Sequence, residues 1–396
     1  MQSASFDVIV LGAGAAGLMC AGEAVRRGRQ VLVIDHASKP AEKIRISGGG
    51  KSNFTHLSAG PVNFLSENPH FCKSALKRFT PFDFLDRVVR RGIPYFEKTR
   101  GQLFCERSAA DIIDLLLNEL SPTHAKVWLE TSVVGVDRQN DGFKVKTSRG
   151  NLTCKSLVVA TGGLSIPKMG ATGFAYDLAK QFGHRVTETR AGLVPFTLGG
   201  DKLARIEGLS GVSLICSVTT QSTTFTDGFL FTHRGLSGPA ILQISNYWRP
   251  GQPIIVNLLP DMDLFPHLLA KRKDRPKQTL ATVMAEVLPR RLSDRLLSWS
   301  SLPPESKMAE LSNLSLQTLA ASVNSWTFIP DGTEGYRTAE VTLGGIDTHQ
   351  ISSQTLESQL CQGLYFIGEC LDVTGWLGGY NFQWAWSSGW AAGQSV

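Results

Sequence analysis

Apolar positions near the beginning of the chain form two short runs separated by a helical pattern. Residues 6–11 (FDVIVL) are almost entirely apolar and lead into Gly12, as expected of a strand buried in a parallel sheet. Residues 15–27 follow with small side chains that allow close packing on a sheet. Residues 29–34 (RQVLVI) form a second apolar run that ends at Asp35. This order predicts a β–α–β unit of a parallel sheet.

The pattern of short elements continues to about residue 190. A helix is predicted over 108–120, with Ser108 as its N-cap. Alternating residues at 128–137 and 143–148 predict two strands joined by a hairpin turn at 140–142. Residues 157–160 (LVVA) form another buried strand, which leads into Thr161-Gly162-Gly163.

The pattern of predicted elements changes beyond about residue 190. Glycine and proline separate predicted antiparallel strands at 212–219, 229–232 and 254–259, and residues 263–325 have a helical pattern. From residue 364 the pattern of the first part of the chain, a short apolar strand followed by glycine, resumes. We therefore predict an α/β protein with a discontinuous, Rossmann-type dinucleotide-binding domain at 1–190 and 332–396. The insertion divides into a β-rich substrate domain at 191–262 and a basic helical insert at 263–331.

Composition excludes several classes of protein. The chain is 42% hydrophobic, and its most apolar stretch, residues 8–25, contains four glycines and Glu23, so no membrane span is expected. Seven scattered cysteines without a C-x-x-C pair, and eight histidines of which no two are four residues apart, favour reduced thiols and no metal site. The first residues lack the features of a signal peptide, so we expect a cytoplasmic protein. The net charge of +6 is mild and compatible with a polyanionic partner.

The first motif with chemical meaning is G-x-G-x-x-G between the predicted first strand and helix. Gly12 permits the tight turn, Gly14 lets the backbone approach a pyrophosphate, and Gly17 allows the helix to pack on the strand. Ala15 and Ala16 begin the helix, whose free N–H groups favour phosphate. Asp35 follows Gly17 by eighteen residues, where its carboxylate can accept hydrogen bonds from ribose hydroxyls.

Three further segments indicate that the dinucleotide is FAD. Residues 47–53 (SGGGKSN) form a glycine loop that can approach the pyrophosphate and flavin, although a flexible surface turn is the alternative. Residues 160–163 (ATGG) end a strand, as in many flavoproteins with two dinucleotide-binding motifs. Glu369 ends a strand near the C-terminus, where it can bond ribityl hydroxyls, and a glycine pair at 378–379 opens the last helix. That helix N-terminus would face the negative charge of a reduced flavin.

These segments resemble the BaiN/RdsA flavoproteins, a group of YhiN-like oxidoreductases, and the resemblance runs the whole length of the chain. The matching stretches are 12–17, 47–55, 231–239 (FTHRGLSGP), 341–345 (VTLGG) and 368–385. The chain departs from the family pattern at Ser52, where the family usually has cysteine, and at 41–43, where Ala-Glu-Lys replaces a more basic Gly-Arg-Lys. Ser52 therefore carries no thiol role.

The resemblance implies FAD in the Rossmann domain, an inserted β-barrel-like domain and a small helical cap. Together with the motifs, it assigns the following residues to the cofactor: Gly12, Gly14, Ala15, Ala16, Gly17, Asp35, Lys43, Ser47, Gly48, Gly49, Gly50, Ser52, Asn53, Val133, Ala160, Thr161, Gly162, Gly368, Glu369, Gly379, Tyr380, Asn381 and Phe382. Lys51, His233 and Arg337 are the expected substrate-binding residues, with a structural hydrogen bond as the alternative role for His233.

The resemblance also implies a reductase. One branch of the family is similar to reductases of unsaturated steroid acids, and the other to enzymes that reduce a uridine of ribosomal RNA to dihydrouridine. Residues 332–337 (GTEGYR) and the His-Arg pair at 233–234 look closest to the RNA branch. We therefore predict reduction of a uridine in large-subunit (23S) ribosomal RNA. A reductase of small unsaturated molecules and a flavin-binding protein without catalysis are the alternatives.

The substrate and the proton donor depend on weaker signals. The basic positions at 271–277, with Arg290, Arg291 and Arg295, are suited to RNA phosphates, but on charge alone a solvated helix face is the favoured explanation. Cys370, Asp372 and Tyr380 are candidate proton donors, each with a packing or loop role as the alternative, so no catalytic residue is assigned. No second dinucleotide motif is present. Either NAD(P)H docks transiently at the flavin, or another donor reduces it.

Overall fold

The computed structural model describes residues 4–99 and 101–396. The strands in these residues are β1 (Ala4–Leu11), β2 (Val31–Ile34), β3 (Asn53–His56), β4 (Phe64–Leu65), β5 (Tyr95–Glu97), β6 (Gln102–Cys105), β7 (Ala125–Trp128), β8 (Val133–Gln139), β9 (Gly142–Thr147), β10 (Gly150–Val159), β11 (Arg190–Gly192), β12 (Phe196–Thr197), β13 (Ser213–Thr220), β14 (Thr223–Phe231), β15 (Gly235–Ser237), β16 (Ile254–Asn257), β17 (Trp326–Phe328), β18 (Gly332–Thr333), β19 (Val341–Leu343), β20 (Leu364–Phe366) and β21 (Thr374–Gly375).

The α-helices in the same residues are α1 (Ala15–Arg26), α2 (Glu42–Ile46), α3 (Lys73–Arg78), α4 (Pro81–Arg90), α5 (Ala110–Asn118), α6 (Phe174–Gln181), α7 (Gly200–Arg205), α8 (Pro239–Ser245), α9 (Leu264–Asp274), α10 (Leu280–Ala285), α11 (Arg290–Trp299), α12 (Asn313–Asn324) and α13 (Tyr380–Gly393). Ser108 is not the N-cap of α5. That position is Ala109, and the Ser108 hydroxyl instead accepts a hydrogen bond from the N–H of Ala110 at 3.1 Å.

The described chain divides into two compact units, one of residues 4–191 and 341–396 and the other of residues 192–340. From the sequence, the chain was predicted to return to the first domain at residue 332, and residues 263–331 were predicted to form a third domain. In the structure β18 pairs with β12, and β17 pairs with β16, so both lie in the sheet of the second unit. Strands of two or three residues have too little alternation to be recognised from sequence.

The first unit is built on a parallel sheet in the order β7-β2-β1-β10, with β20 also paired to β10. β1 and β2 are buried where they pair, which explains their continuous apolar runs. An antiparallel meander of β8, β9 and the first half of β10 extends the sheet. The predicted α/β, Rossmann-type fold class is confirmed.

One predicted strand, 128–137, is two strands in the structure. Trp128 ends β7, which pairs parallel to β2, and β8 begins only at Val133. Between them Glu130 has a φ of 50°, and its N–H donates to the carbonyl of Ala37. The N–H of Thr131 donates to the carbonyl of Asp35. These bonds hold the turn against the end of β2, where the chain leaves the parallel sheet.

Glycines bring α1 close to the elements that it packs against. A Cβ on Gly17 would lie 2.0 Å from the carbonyl oxygen of Gly12, and a Cβ on Gly389 of α13 would lie 2.5 Å from the carbonyl oxygen of Ala16. Both distances are shorter than any real contact, so only glycine permits this packing. The helix that begins at the first glycine motif is thereby fixed on one side by β1 and on another by α13.

A cluster of buried charges joins α1, α4 and α5 within the first unit. Arg87 pairs with Glu23 at 2.6 Å and with Glu119 at 3.1 Å, and the exposed fractions of the three side chains are 12%, 5% and 8%. Arg26, which is more exposed, pairs with the same two carboxylates. Since isolated charges are costly to bury, each carboxylate depends on these guanidinium groups.

Arg87→Met is therefore expected to lower the free energy of unfolding by about 3 kcal/mol, because it leaves two buried carboxylates short of a cation. Arg90→Met is the matched control, since Arg90 forms an exposed pair with Asp86 on the same helix and should cost less than about 1 kcal/mol. Chemical denaturation of the purified variants measures both changes. Equal losses would contradict a special role for the buried cluster.

The second unit contains an antiparallel sheet in the order β17-β16-β13-β14-β15-β12-β18. The long hairpin of β13 and β14 is its most extensive pairing. Helices α9 to α12 follow β16, and Leu280, Val283 and Met284 of α10 are fully buried, as their helical spacing predicted. α12 ends just before β17, so the helical segment leads directly back into the sheet.

Candidate functional site

The first glycine motif leaves open space at the N-terminus of α1. Gly12 and Gly17 are required by packing, because a Cβ on Gly12 would lie 2.5 Å from the carbonyl oxygen of Ala160. Gly14 is different. Its φ of −83° and ψ of −173° are extended backbone that any residue adopts, and a Cβ there would meet no described protein atom within 4 Å. The protein itself gives no reason for glycine at this position, so the space fits a group bound at the helix N-terminus.

Asp35 lies at the end of β2, beside the same turn. One carboxylate oxygen accepts from the N–H of Ala13 at 2.7 Å and the other from the N–H of Ala37 at 2.9 Å. Each carboxylate oxygen can accept further bonds, so these contacts orient Asp35 without exhausting it. Val133, half-buried, begins β8 just beyond the turn that bonds back to Asp35. The structure thus brings the residues predicted for the adenosine side to one edge of the sheet.

The second glycine loop is held from behind and open in front. Gly48, Gly49 and Gly50 all have positive φ, between 58° and 86°. The N–H of Ala109 donates to the carbonyl of Gly50, and the N–H of Cys105 donates to the carbonyl of Lys51. A Cβ on Gly49 or Gly50 would meet no described atom within 4 Å. This backbone is therefore free to approach a ligand.

Two buried hydroxyls near these loops have no partner among the described residues. Ser52 is fully buried with a φ of 49°, and its Oγ makes no hydrogen bond. The Oγ1 of Thr161, directly after β10, is also buried and unbonded. Buried hydroxyls in folded proteins are normally bonded. Together with the open backbone at Gly14, Gly49 and Gly50, these unpaired groups fit a bound FAD.

A polar cluster that the sequence did not predict surrounds Glu369. Its carboxylate pairs with Lys43 at 2.5 Å, accepts from the Ser165 hydroxyl at 2.8 Å and accepts from the N–H of Thr342 at 3.0 Å. Lys43 also donates to Ser165 at 2.6 Å. Lys43 and Glu369 were predicted separately, whereas Ser165 and Thr342 were missed. The VTLGG stretch that contains Thr342 was the available signal.

The last helix begins at a position that only glycine can occupy. Gly379, the N-cap of α13, has a φ of 99°, and a Cβ there would lie 2.6 Å from the carbonyl of Thr55. Asn381 turns back to bond Gly375 and the carbonyl of Trp376, so its amide holds the preceding turn. Of the other residues predicted here, Gly368 begins a short 3-10 turn that follows β20, and Tyr380 and Phe382 lie in the first turn of α13.

The three candidate proton donors have different surroundings in the structure. Cys370 is fully buried, burial raises the pKa of its thiol to about 12, and its Sγ donates to backbone carbonyls. Burial also raises the pKa of Asp372, whose carboxylate accepts from the N–H of Glu67 at 2.7 Å. Burial likewise raises the pKa of Tyr380, and its ring stacks on His56 with centroids 4.3 Å apart. All three have structural contacts, and Cys370 has the least freedom to act as a donor.

The predicted substrate residues lie in both units. Lys51 is exposed, next to the second glycine loop of the first unit. His233 and Arg337 are exposed in the second unit, on loops beside β15 and β18, which pair with opposite sides of β12. A contact between those two loops is the 3.8 Å approach of Arg234 to Glu334. The structure therefore brings the His-Arg pair and the 332–337 segment to the two strands that flank β12 in one sheet.

Most of the basic side chains of the helical insert form hydrogen bonds or ion pairs within the second unit. Lys271 and Arg275 pair with Glu286, and Arg272 donates to the carbonyl of Leu311 and to Asn313. Arg291 and Arg295 donate to backbone carbonyls of the segment around α7, at 204–210. In the described part of the chain, the lysine and arginine side chains of this insert without a hydrogen bond or ion pair are Lys273, Lys277, Arg290 and Lys307.

Two further features of the molecule concern membranes and metal ions. Within residues 4–99 and 101–396, no helix has the length and apolar character needed to cross a membrane. Over the same residues, no three His, Cys, Asp or Glu side chains are grouped in a way that could hold a metal ion.

Comparison with known proteins adds family information to this geometry. The family described as HI0933-like protein Rossmann domain matches residues 6–395. The chain is 50% identical over 392 residues to the ribosomal RNA dihydrouridine synthase of Escherichia coli, covering 99% of this chain and 98% of that protein. It is 47% identical over 394 residues to the protein of the same name from Haemophilus influenzae, with 98% of each chain covered. It is 27% identical over 402 residues to the 3-dehydro-bile acid delta(4,6)-reductase of Clostridium scindens, again covering 98% of each. The family resemblance inferred from the motifs is confirmed.

Proposed function

We propose that this chain, which belongs to the HI0933-like protein Rossmann domain family, reduces a uridine of large-subunit ribosomal RNA to dihydrouridine. The first unit is the FAD-binding domain, and the protein is a flavin-dependent oxidoreductase. The observation that supports the RNA substrate is 50% identity to a ribosomal RNA dihydrouridine synthase along 99% of this chain. RNA as substrate also supports a cytoplasmic location and, with it, NAD(P)H as the electron donor.

The glycine segments supply the contacts that FAD requires. We assign the pyrophosphate to the N-terminus of α1, where the backbone at Gly14 is open, and the adenosine ribose to Asp35. The unbonded hydroxyls of Ser52 and Thr161 would complete hydrogen bonds with the cofactor. Glu369, held by Lys43, Ser165 and Thr342, places a carboxylate in a fixed position just beyond the end of β20.

Reduced FAD, when bound, supplies the hydride that C6 of the uracil accepts, while a proton is added at C5. The chain must then hold the base in place, exclude water and deliver that proton. Exposed polar residues on two loops of the second sheet, His233 and Arg337, are suited to holding a ribonucleotide. Lys51 offers a cation beside the second glycine loop.

A small-molecule reductase is the second candidate, because the chain is also 27% identical to a bile acid reductase over its full length. That identity is about half of the identity to the RNA enzymes, so the RNA substrate is favoured. The two functions differ in what oxidises the flavin. A flavin-binding protein without catalysis would be oxidised by neither substrate.

The test is anaerobic reoxidation of the reduced protein. An unmodified transcript of large-subunit ribosomal RNA is expected to restore oxidised-flavin absorbance at least 100-fold faster than free uridine, because uridine lacks the binding energy of the remote RNA contacts. A Δ4,6-unsaturated 3-ketosteroid is the comparison substrate, and buffer alone gives the background rate. Faster reoxidation by the steroid than by the transcript would contradict the RNA proposal.

A further inference from the structure

A small antiparallel sheet of β3, β6 and β5 presents two lysines on one face. Asn53 pairs with Phe104 and Phe96 pairs with Phe104, so these three side chains lie on the same side. The rings of Phe96 and Phe104 stack with centroids 5.6 Å apart. Alternation along β6 adds Gln102 to this side, and the ammonium groups of the two lysines lie over the two rings. We term Lys51, Asn53, Phe96, Lys98, Gln102 and Phe104 the lysine face.

The charge of this face is not neutralised by the protein. The Lys51 ammonium lies 5.5 Å from the centre of the Phe96 ring, and the Lys98 ammonium lies 5.6 Å from that of Phe104. Neither lysine has a carboxylate partner in the residues that the structure describes. Glu97 alternates to the opposite face, where its carboxylate accepts from the N–H of Gly101. Aromatic rings position a cation without cancelling its charge, so both lysines remain able to bind an anion.

The lysine face borders both glycine segments assigned to the flavin end of FAD. A Cβ on Gly48 would lie 2.8 Å from the Phe104 ring, and a Cβ on Gly378 would lie 2.6 Å from the Gln102 amide. Both lysines are exposed, while Phe104 is buried beneath them. A molecule that reached the flavin across this face would therefore pass Lys51 and Lys98.

We infer that the lysine face binds the phosphate backbone of the RNA substrate, with Lys51 and Lys98 as the contacts. This inference rests on the proposed function. It moves the expected RNA contact from the basic helical insert to the lysine face of the first unit. The basic run at 271–277, which the sequence suggested for RNA, has three of its five cations engaged within the protein. The two lysines of the lysine face have no such engagement, and they lie beside the cofactor segments.

The phosphates of NAD(P)H are the competing anion. Nicotinamide dinucleotides are usually held by converging backbone N–H groups at a helix N-terminus. The lysine face instead offers two separate, exposed ammonium groups on an open sheet, which suits successive phosphates of an extended backbone. The face therefore favours RNA.

The test measures RNA binding of flavin-loaded protein as a function of salt, using an unmodified transcript of large-subunit ribosomal RNA. The double variant Lys51→Gln/Lys98→Gln removes both charges and keeps polar, uncharged side chains at the two positions. It is expected to reduce the slope of log affinity against log salt by about 1.4 to 2 units, since each of the two lost phosphate contacts removes about 0.7 to 1. The control Lys126→Gln/Lys155→Gln removes two exposed charges from another part of the first unit and should leave the slope unchanged.

Other outcomes separate this inference from the proposed function. If the wild-type protein binds the transcript and the lysine-face variant keeps the control slope, the inference is overturned and the proposed function stands. If the variant keeps the slope but shows a raised KM for NAD(P)H, the face belongs to the electron donor instead. Loss of FAD absorbance from the variant would assign the lysines to the cofactor and overturn the inference. If the wild-type protein does not bind or reduce the transcript, the proposed function itself fails.

Discussion

Gly14→Leu is expected to give a folded protein that contains no FAD. The reason is the space at the N-terminus of α1, where a Cβ at this position would meet no described protein atom within 4 Å. The substitution should therefore be tolerated by the fold, while the leucine side chain fills the place assigned to the pyrophosphate. The expected loss is at least 90% of the flavin absorbance per protein, a fall of more than about 1.4 kcal/mol in binding free energy at subsaturating FAD.

Gly199→Leu is the matched control. Gly199 is also a helix N-cap glycine with extended backbone, φ −129° and ψ 170°, and a Cβ there would lie no closer than 3.7 Å to a described atom. It belongs to the second unit, so FAD content should be unchanged. Circular dichroism and size-exclusion chromatography check that both variants are folded. Full FAD content in folded Gly14→Leu would refute the assignment of this helix N-terminus.

The same residues show how far the sequence can predict this structure. The G-x-G-x-x-G turn, the buried runs of β1 and β2 and the position of Asp35 follow from local pattern, because each depends on neighbours along the chain. The different roles of Gly14 and Gly17 also follow from the motif: packing requires Gly17, where a Cβ would meet the nearby Gly12, and leaves Gly14 free.

Long-range partners account for most of what the sequence did not predict. Glu369 pairs with Lys43 across 326 positions of the chain, and Arg87 pairs with Glu23 across 64. The basic insert illustrates the same limit, since Arg295 was a candidate for RNA phosphate contacts but donates to the carbonyl of Arg205. Composition counts charges and gives no information on which of them the protein itself neutralises.

Deletion of the gene is expected to abolish one dihydrouridine of large-subunit ribosomal RNA. A synthase acting at a single position has no substitute unless another reductase recognises the same RNA segment, so loss at that position should be complete. Mass spectrometry of nuclease fragments from purified large-subunit RNA measures the modification at each site. Dihydrouridine in transfer RNA serves as the internal control and should not change.

Complementation connects this cellular result to the structure. A plasmid carrying the wild-type chain or Gly199→Leu should restore the modification, because both retain the open backbone at the N-terminus of α1. A plasmid carrying Gly14→Leu, expressed to the same level, should leave the uridine unreduced, because without FAD no hydride reaches the base. Restoration by Gly14→Leu would separate RNA modification from this flavin site. An unaltered dihydrouridine pattern in the deletion strain would remove the RNA substrate altogether, and the small-molecule reductase would then be the function to test.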